Sequence, residues 1–111
     1  MEIVNILIDH KADVNLKNIN GSTPLHFASE NGFDKIVEIL IKKGKADVNL
    51  TDNLKFSALH FASAGGFTNV VNLLMADPNI VHTAENEAGL NSYDLASSHN
   101  QENIMKLLHP S

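Results

Sequence analysis

The sequence predicts an all-α solenoid of stacked helix-turn-helix units. Three observations carry that expectation: a period of 34 residues, a cap residue at the head of each unit, and a second block too apolar to stand alone. Thr23-Pro24-Leu25-His26-Phe27-Ala28-Ser29 matches Ser57-Ala58-Leu59-His60-Phe61-Ala62-Ser63, and the next equal step lands on the more divergent Asn91-Ser92-Tyr93-Asp94-Leu95-Ala96-Ser97. A second block keeps the same step: Ile36-Val37-Glu38-Ile39-Leu40-Ile41, then Val70-Val71-Asn72-Leu73-Leu74-Met75, then Ile104-Met105-Lys106-Leu107-Leu108. Its earliest copy is Ile3-Val4-Asn5-Ile6-Leu7-Ile8, and a third element, Ala12-Asp13-Val14-Asn15, returns as Ala46-Asp47-Val48-Asn49.

Taken in order, a unit opens with Thr23 as N-cap and Pro24 in the first helical position, where its missing N–H costs nothing. Gly32 is the expected stop. Asp34 is expected to cap a second helix running to about Lys43, with Gly44 taking a positive φ beyond its end. Leu16 to Ser22 joins units, and its Asn20-Gly21 pair predicts a tight hairpin turn, so each junction projects a finger. Lys55 stands where Gly21 stands, which predicts a different turn in the second finger. The second helix is apolar around much of its circumference, so neighbouring units must cover it on more than one side.

Composition narrows the function. The chain has 111 residues, 43% of them apolar, enough for one domain with a packed core. It has no cysteine, which removes disulfides, thiol nucleophiles and thiolate metal sites, and suits a reducing, intracellular setting, cytoplasmic with the nucleus left open. The net charge is −5 and every basic residue is a lysine, so nucleic acid is a poor partner, and the scattered lysines argue against an anionic membrane surface. No run approaches the roughly 20 apolar residues of a membrane span, and the N-terminus reads as neither a basic leader nor a small-residue cleavage site. The six histidines, His10, His26, His60, His82, His99 and His109, form no metal or triad spacing, and no nucleophile elbow or phosphate loop occurs. Glu85 and Glu87 read as solvated finger residues rather than paired catalytic acids. The expectation is therefore a chain that is no enzyme, with no catalytic, cofactor-binding or metal-binding residues and no cofactor.

Thr23-Pro24-Leu25-His26 followed by Ala28, Gly32, Ile36-Val37, Leu40 and Gly44 through Asp47-Val48-Asn49 resembles the ankyrin repeat. The resemblance covers essentially the whole chain. It implies an ankyrin-repeat solenoid with β-hairpin finger loops that binds a protein partner through its fingers and concave helical face. It divides the single domain 1–111 into a partial first repeat at 1–15, repeats at 16–49 and 50–82, and a C-terminal capping repeat at 83–111. It assigns His26 and His60 a structural role in the turn and toward the neighbouring unit. Asn20-Gly21-Ser22 and Asn49-Leu50-Thr51 fit a glycosylation sequon, but Asn15 and Asn49 read as loop-bonding residues of the fold.

Departures from the pattern are informative too. Lys45 reads as a one-residue insertion in a surface loop, which is cheap. Asp94 in place of histidine, with Gln101, Glu102, Asn103 and Lys106 in the last helix, reads as a polar cap. The first unit starts in mid-repeat, so the expectation is either a longer array or self-association through an uncapped N-terminal face.

Positions that vary between copies are free of folding duty, and the resemblance places them on finger tips and the outward side of the first helix. They give the candidate partner-binding residues: Lys17, Ile19, Asn20, Ser22, Glu30 and Asn31; Thr51, Asn53, Leu54, Phe56 and Ala64; and Glu85, Glu87, Leu90, Ser98 and His99. Leu54 is the cleanest anchor, while Phe56 and Leu90, which share a repeat position, either serve as anchors or fold back on a neighbouring finger or helix. Glu30, Asp52, Glu85 and Glu87 would steer a partner bearing basic groups. The alternative reading is a regulatory or targeting part of a larger enzyme or receptor.

Overall fold

The computed structural model describes residues 17–108, so Ile3 to Ile8, His10, Ala12 to Asn15 and His109 lie outside the described residues. Six helices follow one another: α1 (Pro24–Glu30), α2 (Asp34–Lys42), α3 (Ala58–Gly65), α4 (Thr68–Met75), α5 (Ser92–Ser98) and α6 (Glu102–Leu108). α1, α3 and α5 pack in one row and α2, α4 and α6 in a second, each pair joined by a short turn. Among the described residues there is no named strand, only one antiparallel bridge between Thr51 and Ser57. The fingers are therefore hairpin-shaped turns on an all-α solenoid.

Periodicity decides burial. Leu25, Leu40, Leu59 and Leu74 hold the facing positions of successive helices and are at most 2% exposed; Val37, Val71 and Ile104 fill the spaces between the rows. Helices of seven to nine residues are too short to persist alone in water, so stacking rather than propensity holds them.

Each inner helix starts with a capping box. The Thr23, Ser57 and Asn91 side chains accept from the backbone N–H of the third helical residue, and the side chain of that residue, His26, His60 or Asp94, accepts from the cap's own N–H. The two histidines do a second thing. The Thr23 N–H can only donate, and it points at His26 Nδ1 at 3.0 Å, so the ring's proton sits on Nε2. That Nε2–H donates to the Phe56 carbonyl at 3.0 Å, and His60 repeats the contact to the Leu90 carbonyl at 2.9 Å. Each ring thus ties its unit to the next. Burial lowers the pKa of both rings below 6.5, outweighing the carbonyls and Asp52 that favour the charged form.

The fingers share one geometry. In the first, Asn18 N–H donates to the Ser22 carbonyl, Gly21 N–H to the Asn18 carbonyl, and Asn18 Oδ1 accepts from the Asn20 and Ser22 N–H groups. Only Gly21, at φ 77°, is left-handed, so the tight turn predicted from Asn20-Gly21 takes the form of a three-residue loop with a terminal bulge. The second finger, for which Lys55 predicted a different turn, keeps the same one. Lys55 takes φ 63° in the place of Gly21, and Asp52 Oδ1 holds the Leu54 and Phe56 N–H groups. Asn86 and Gly89 build the third in the same way. The carboxylate or amide at the start of each loop enforces the turn, so a lysine is tolerated at the bulge.

Two other local expectations need correction. Asp34 is the first residue of α2 and not its cap; the cap position is Phe33, whose side chain makes no cap bond, and Asp34 Oδ2 accepts from Asn69 Nδ2 of the next unit at 3.2 Å. Lys45, at φ 52°, and not Gly44, takes the left-handed turn after α2, because the inserted residue moves the turn by one and lets Ala46 N–H reach the Leu40 carbonyl. Gly32 at φ 71° lies just past the end of α1, where a Cβ would come within 2.5 Å of the Phe67 ring.

Three outcomes are expected from these contacts. Lys55→Gly relieves a left-handed lysine and raises stability by about 0.5–1 kcal/mol in urea unfolding. Ser29 and Ser63 are fully buried with hydroxyls that lack a partner, so Ser29→Ala and Ser63→Ala each stabilise by about 1 kcal/mol, read as a higher melting temperature. The contribution of the neutral histidines is complete above pH 6.5 and is lost as pH falls from 6.5 through their lowered folded values. Urea midpoints measured from pH 8 to 5 should fall in that window. The His26→Gln/His60→Gln chain should be less stable at pH 8, with a shallower fall.

Candidate functional site

The three fingers are bonded to one another. Asn53 N–H donates to the Asn20 carbonyl and Glu87 N–H to the Leu54 carbonyl, both at 3.0 Å, so the tips form a ladder along the stack. Asn53 Nδ2 adds a bond to the Ile19 carbonyl at 3.1 Å, and Lys17 Nζ one to the Thr51 carbonyl at 2.8 Å. A surface built this way loses little conformational freedom when something docks on it.

Of the candidate residues, Lys17, Ile19, Asn20, Glu30, Asn31, Asn53, Leu54, Glu85, Glu87, Leu90, Ser98 and His99 are exposed, and Ser22, Thr51, Phe56 and Ala64 are half-buried. The ladder brings Ile19, Asn20, Asn53, Leu54 and Glu87 together. Glu30 and Asn31 sit at the end of α1, Ala64 in α3, and Ser98 and His99 at the end of α5.

Several of these side chains serve the fold. Besides Lys17 and Asn53, Asn31 Nδ2 donates to the Phe27 carbonyl, Ser98 Oγ to the Asp94 carbonyl, and the His99 ring bonds the Leu95 carbonyl. Phe56 folds back: its ring stacks on Phe61 with centroids 5.3 Å apart. Leu90, at 37% exposure, stays at the surface. Ile19 and Leu54 stand furthest out, at 92% and 57% exposure, and are the large apolar side chains of the ladder. Asn49 is engaged at both ends of its amide, donating to the Asn79 carbonyl and accepting from the Val81 N–H. It fastens consecutive units, as a loop-bonding residue would.

Sequence reasoning missed Phe27, Phe33 and Val81, each at least 40% exposed. Phe27 and Phe33 meet at a centroid distance of 6.0 Å. Phe27 repeats as Phe61 and Leu95, which pack inward, so its place in the repeat read as core. Among the described residues no three His, Cys, Asp or Glu side chains come together in a way that would hold a metal, and no helix is long and apolar enough to cross a membrane.

Comparison with known proteins agrees with this architecture. Residues 41 in number align at 46% identity with human transient receptor potential cation channel subfamily A member 1, covering 34% of this chain and 4% of that protein. The chain therefore spans a small fraction of the length of that curated relative. The family model for ankyrin repeats, in three copies, matches residues 1–86, most of the chain. The third described helix pair, α5 and α6, lies past the end of that match and repeats the same cap and packing. With two rows of stacked helices, capping boxes at the repeat interval and bonded fingers, this chain belongs to the ankyrin-repeat family, a non-catalytic fold generally used to bind proteins.

Proposed function

We propose that this chain is a protein-docking module without chemistry of its own, which receives its partner on the ladder of finger tips and the adjoining concave face. The single observation that supports the reading is the placement of Ile19 and Leu54, two exposed aliphatic side chains on a backbone locked by finger-to-finger hydrogen bonds. Apolar anchors ringed by polar groups are the usual centre of a protein interface. Glu87 is exposed in the same ladder, Glu30 and Glu85 are exposed elsewhere, and the chain carries a net charge of −5, so the fitting partner presents an apolar segment flanked by basic groups. A reducing intracellular compartment suits a chain without cysteine.

A second reading has one observation in its favour. The human relative is a channel subunit of which the matched stretch is 4%, so this chain is also read as a regulatory or targeting part of a longer polypeptide. The two readings share the docking surface and differ in whether the bound partner acts on a covalently attached domain.

The test is the Leu54→Ala variant, measured against a partner recovered by affinity purification from the native source. The dissociation constant is expected to rise about tenfold, with the melting temperature unchanged. Added salt should weaken binding further by screening the acidic rim. Unaltered affinity, or a large loss of stability, would remove the fingers from the binding surface.

A further inference from the structure

The fingers are uneven in charge along the stack. Lys17 and Lys55 stand in the first two, the one with its Nζ on the Thr51 carbonyl and the other at the second bulge, and both are exposed. Glu85 and Glu87, both exposed, stand in the third. Asp52, the acid of the second finger, is half-buried, and its Oδ1 accepts the Leu54 and Phe56 N–H groups. Bulk is uneven in the same direction. Ile19 and Leu54 fill the first two tips, whereas the third has Ala88, and a Cβ on Gly89 beside it would meet nothing within 4 Å. Leu90, the large apolar residue of that finger, follows the bulge, in the register of Ser22 and Phe56.

The side chains left for a partner form a narrow row. Asn31, Ser98 and His99, at the ends of α1 and α5, each bond a carbonyl of their own helix, and Asn53 Nδ2 donates to the Ile19 carbonyl. Ile19, Leu54 and Glu87 lie one to a finger, on backbone held by the finger-to-finger bonds. A single row suits an extended segment laid across the fingers. Helices of successive units pack roughly 8–10 Å apart and an extended chain advances roughly 3.3 Å per residue, so about three residues pass from one finger to the next.

Charge then decides which way round such a segment lies. A basic group on the partner is drawn to Glu85 and Glu87 and repelled by Lys17 and Lys55, so a segment with basic groups at both ends loses at one what it gains at the other. Small Ala88 and the open side of Gly89 leave room next to Glu87 for the long stem of a lysine or arginine.

We propose that the fingers read an extended, polarised segment of a protein partner: an apolar residue over Ile19, a second about three residues on over Leu54, and a basic residue about three further over Glu87, with no basic group at the opposite end. The proposal rests on the finger-docking reading above and adds to it the spacing and order of the partner's groups.

The probes are fluorescent peptides of one composition, with serine and proline spacers that keep the chain extended. In the one-sided peptide two leucines at the spacing above are followed by both lysines; in the split peptide one lysine is moved to the far side of the leucines. Each is made in both chain directions and titrated with the full chain by anisotropy at low salt. One direction of the one-sided peptide is expected to bind about tenfold more tightly than either direction of the split peptide. Glu85→Gln/Glu87→Gln should abolish that difference, Glu30→Gln, exposed at the end of α1, should keep it, and Leu54→Ala should weaken both peptides. Equal affinities, or a difference that survives Glu85→Gln/Glu87→Gln, overturn the polarity and leave finger docking standing so long as Leu54→Ala still weakens binding. Peptides indifferent to Leu54→Ala overturn both. Failure of every peptide to bind overturns the extended segment, and a partner from the native source that then still depends on Leu54 would present a folded surface instead.

Discussion

The stack depends on one side chain per unit that works in two directions. His26 accepts the N–H of its own helix cap with Nδ1 and donates to the next unit's finger with Nε2, and His60 does the same one repeat later. A neutral imidazole is the side chain that offers one acceptor and one donor about 2 Å apart on a rigid ring. A carboxylate meets the first requirement and fails the second, as Asp94 shows. The capping box and the coupling between units are thus one device, and the charge state of the ring controls both. Burial that keeps the ring neutral is what makes the device work at neutral pH.

Because the second and third fingers are each gripped from behind by a histidine and all three are bonded to a neighbouring finger, loop residues that would ordinarily move are fixed in a row. Within each finger an Asn or Asp side chain accepts two backbone N–H groups, so the turn geometry is set by position 18, 52 or 86 rather than by the bulge residue. This leaves the tips free to vary in side chain without varying in shape. Ile19, Asn53 and Glu87 are successive occupants of one tip position, apolar, amide and acidic on the same backbone. A rigid ladder with interchangeable side chains is well suited to recognition, since affinity is then tuned without altering the fold.

The two ends of the described stack are chemically unlike. At the first, Pro24 and Phe27 are exposed; at the last, Asp94 closes its own capping box and Glu102, Asn103 and Lys106 are exposed. Repeat proteins gain stability from nearest-neighbour contacts, so the burial of a given repeat position depends on which unit stands beside it.

The fold was legible because stacking imposes a period, and a period survives in sequence wherever the same contact recurs. The 34-residue spacing, Thr23 as a cap, and the need for neighbours to cover the apolar second helix were all read from the chain, and Thr23 caps α1 while Leu40 and Leu74 are buried. Their physical basis is local: a cap needs a hydroxyl or amide at one position, and a core face needs aliphatic side chains at helical spacing. What tertiary structure alone decided were properties that depend on a neighbour. Lys55 keeps the same turn as Gly21 because Asp52 and the adjoining finger hold it, Phe56 folds onto Phe61 whereas Leu54 does not, and Phe27 is exposed although its repeats Phe61 and Leu95 are half-buried and buried. A residue's type specifies what it can bury or bond, but whether anything stands opposite is a fact about the next unit, and no single repeat records it.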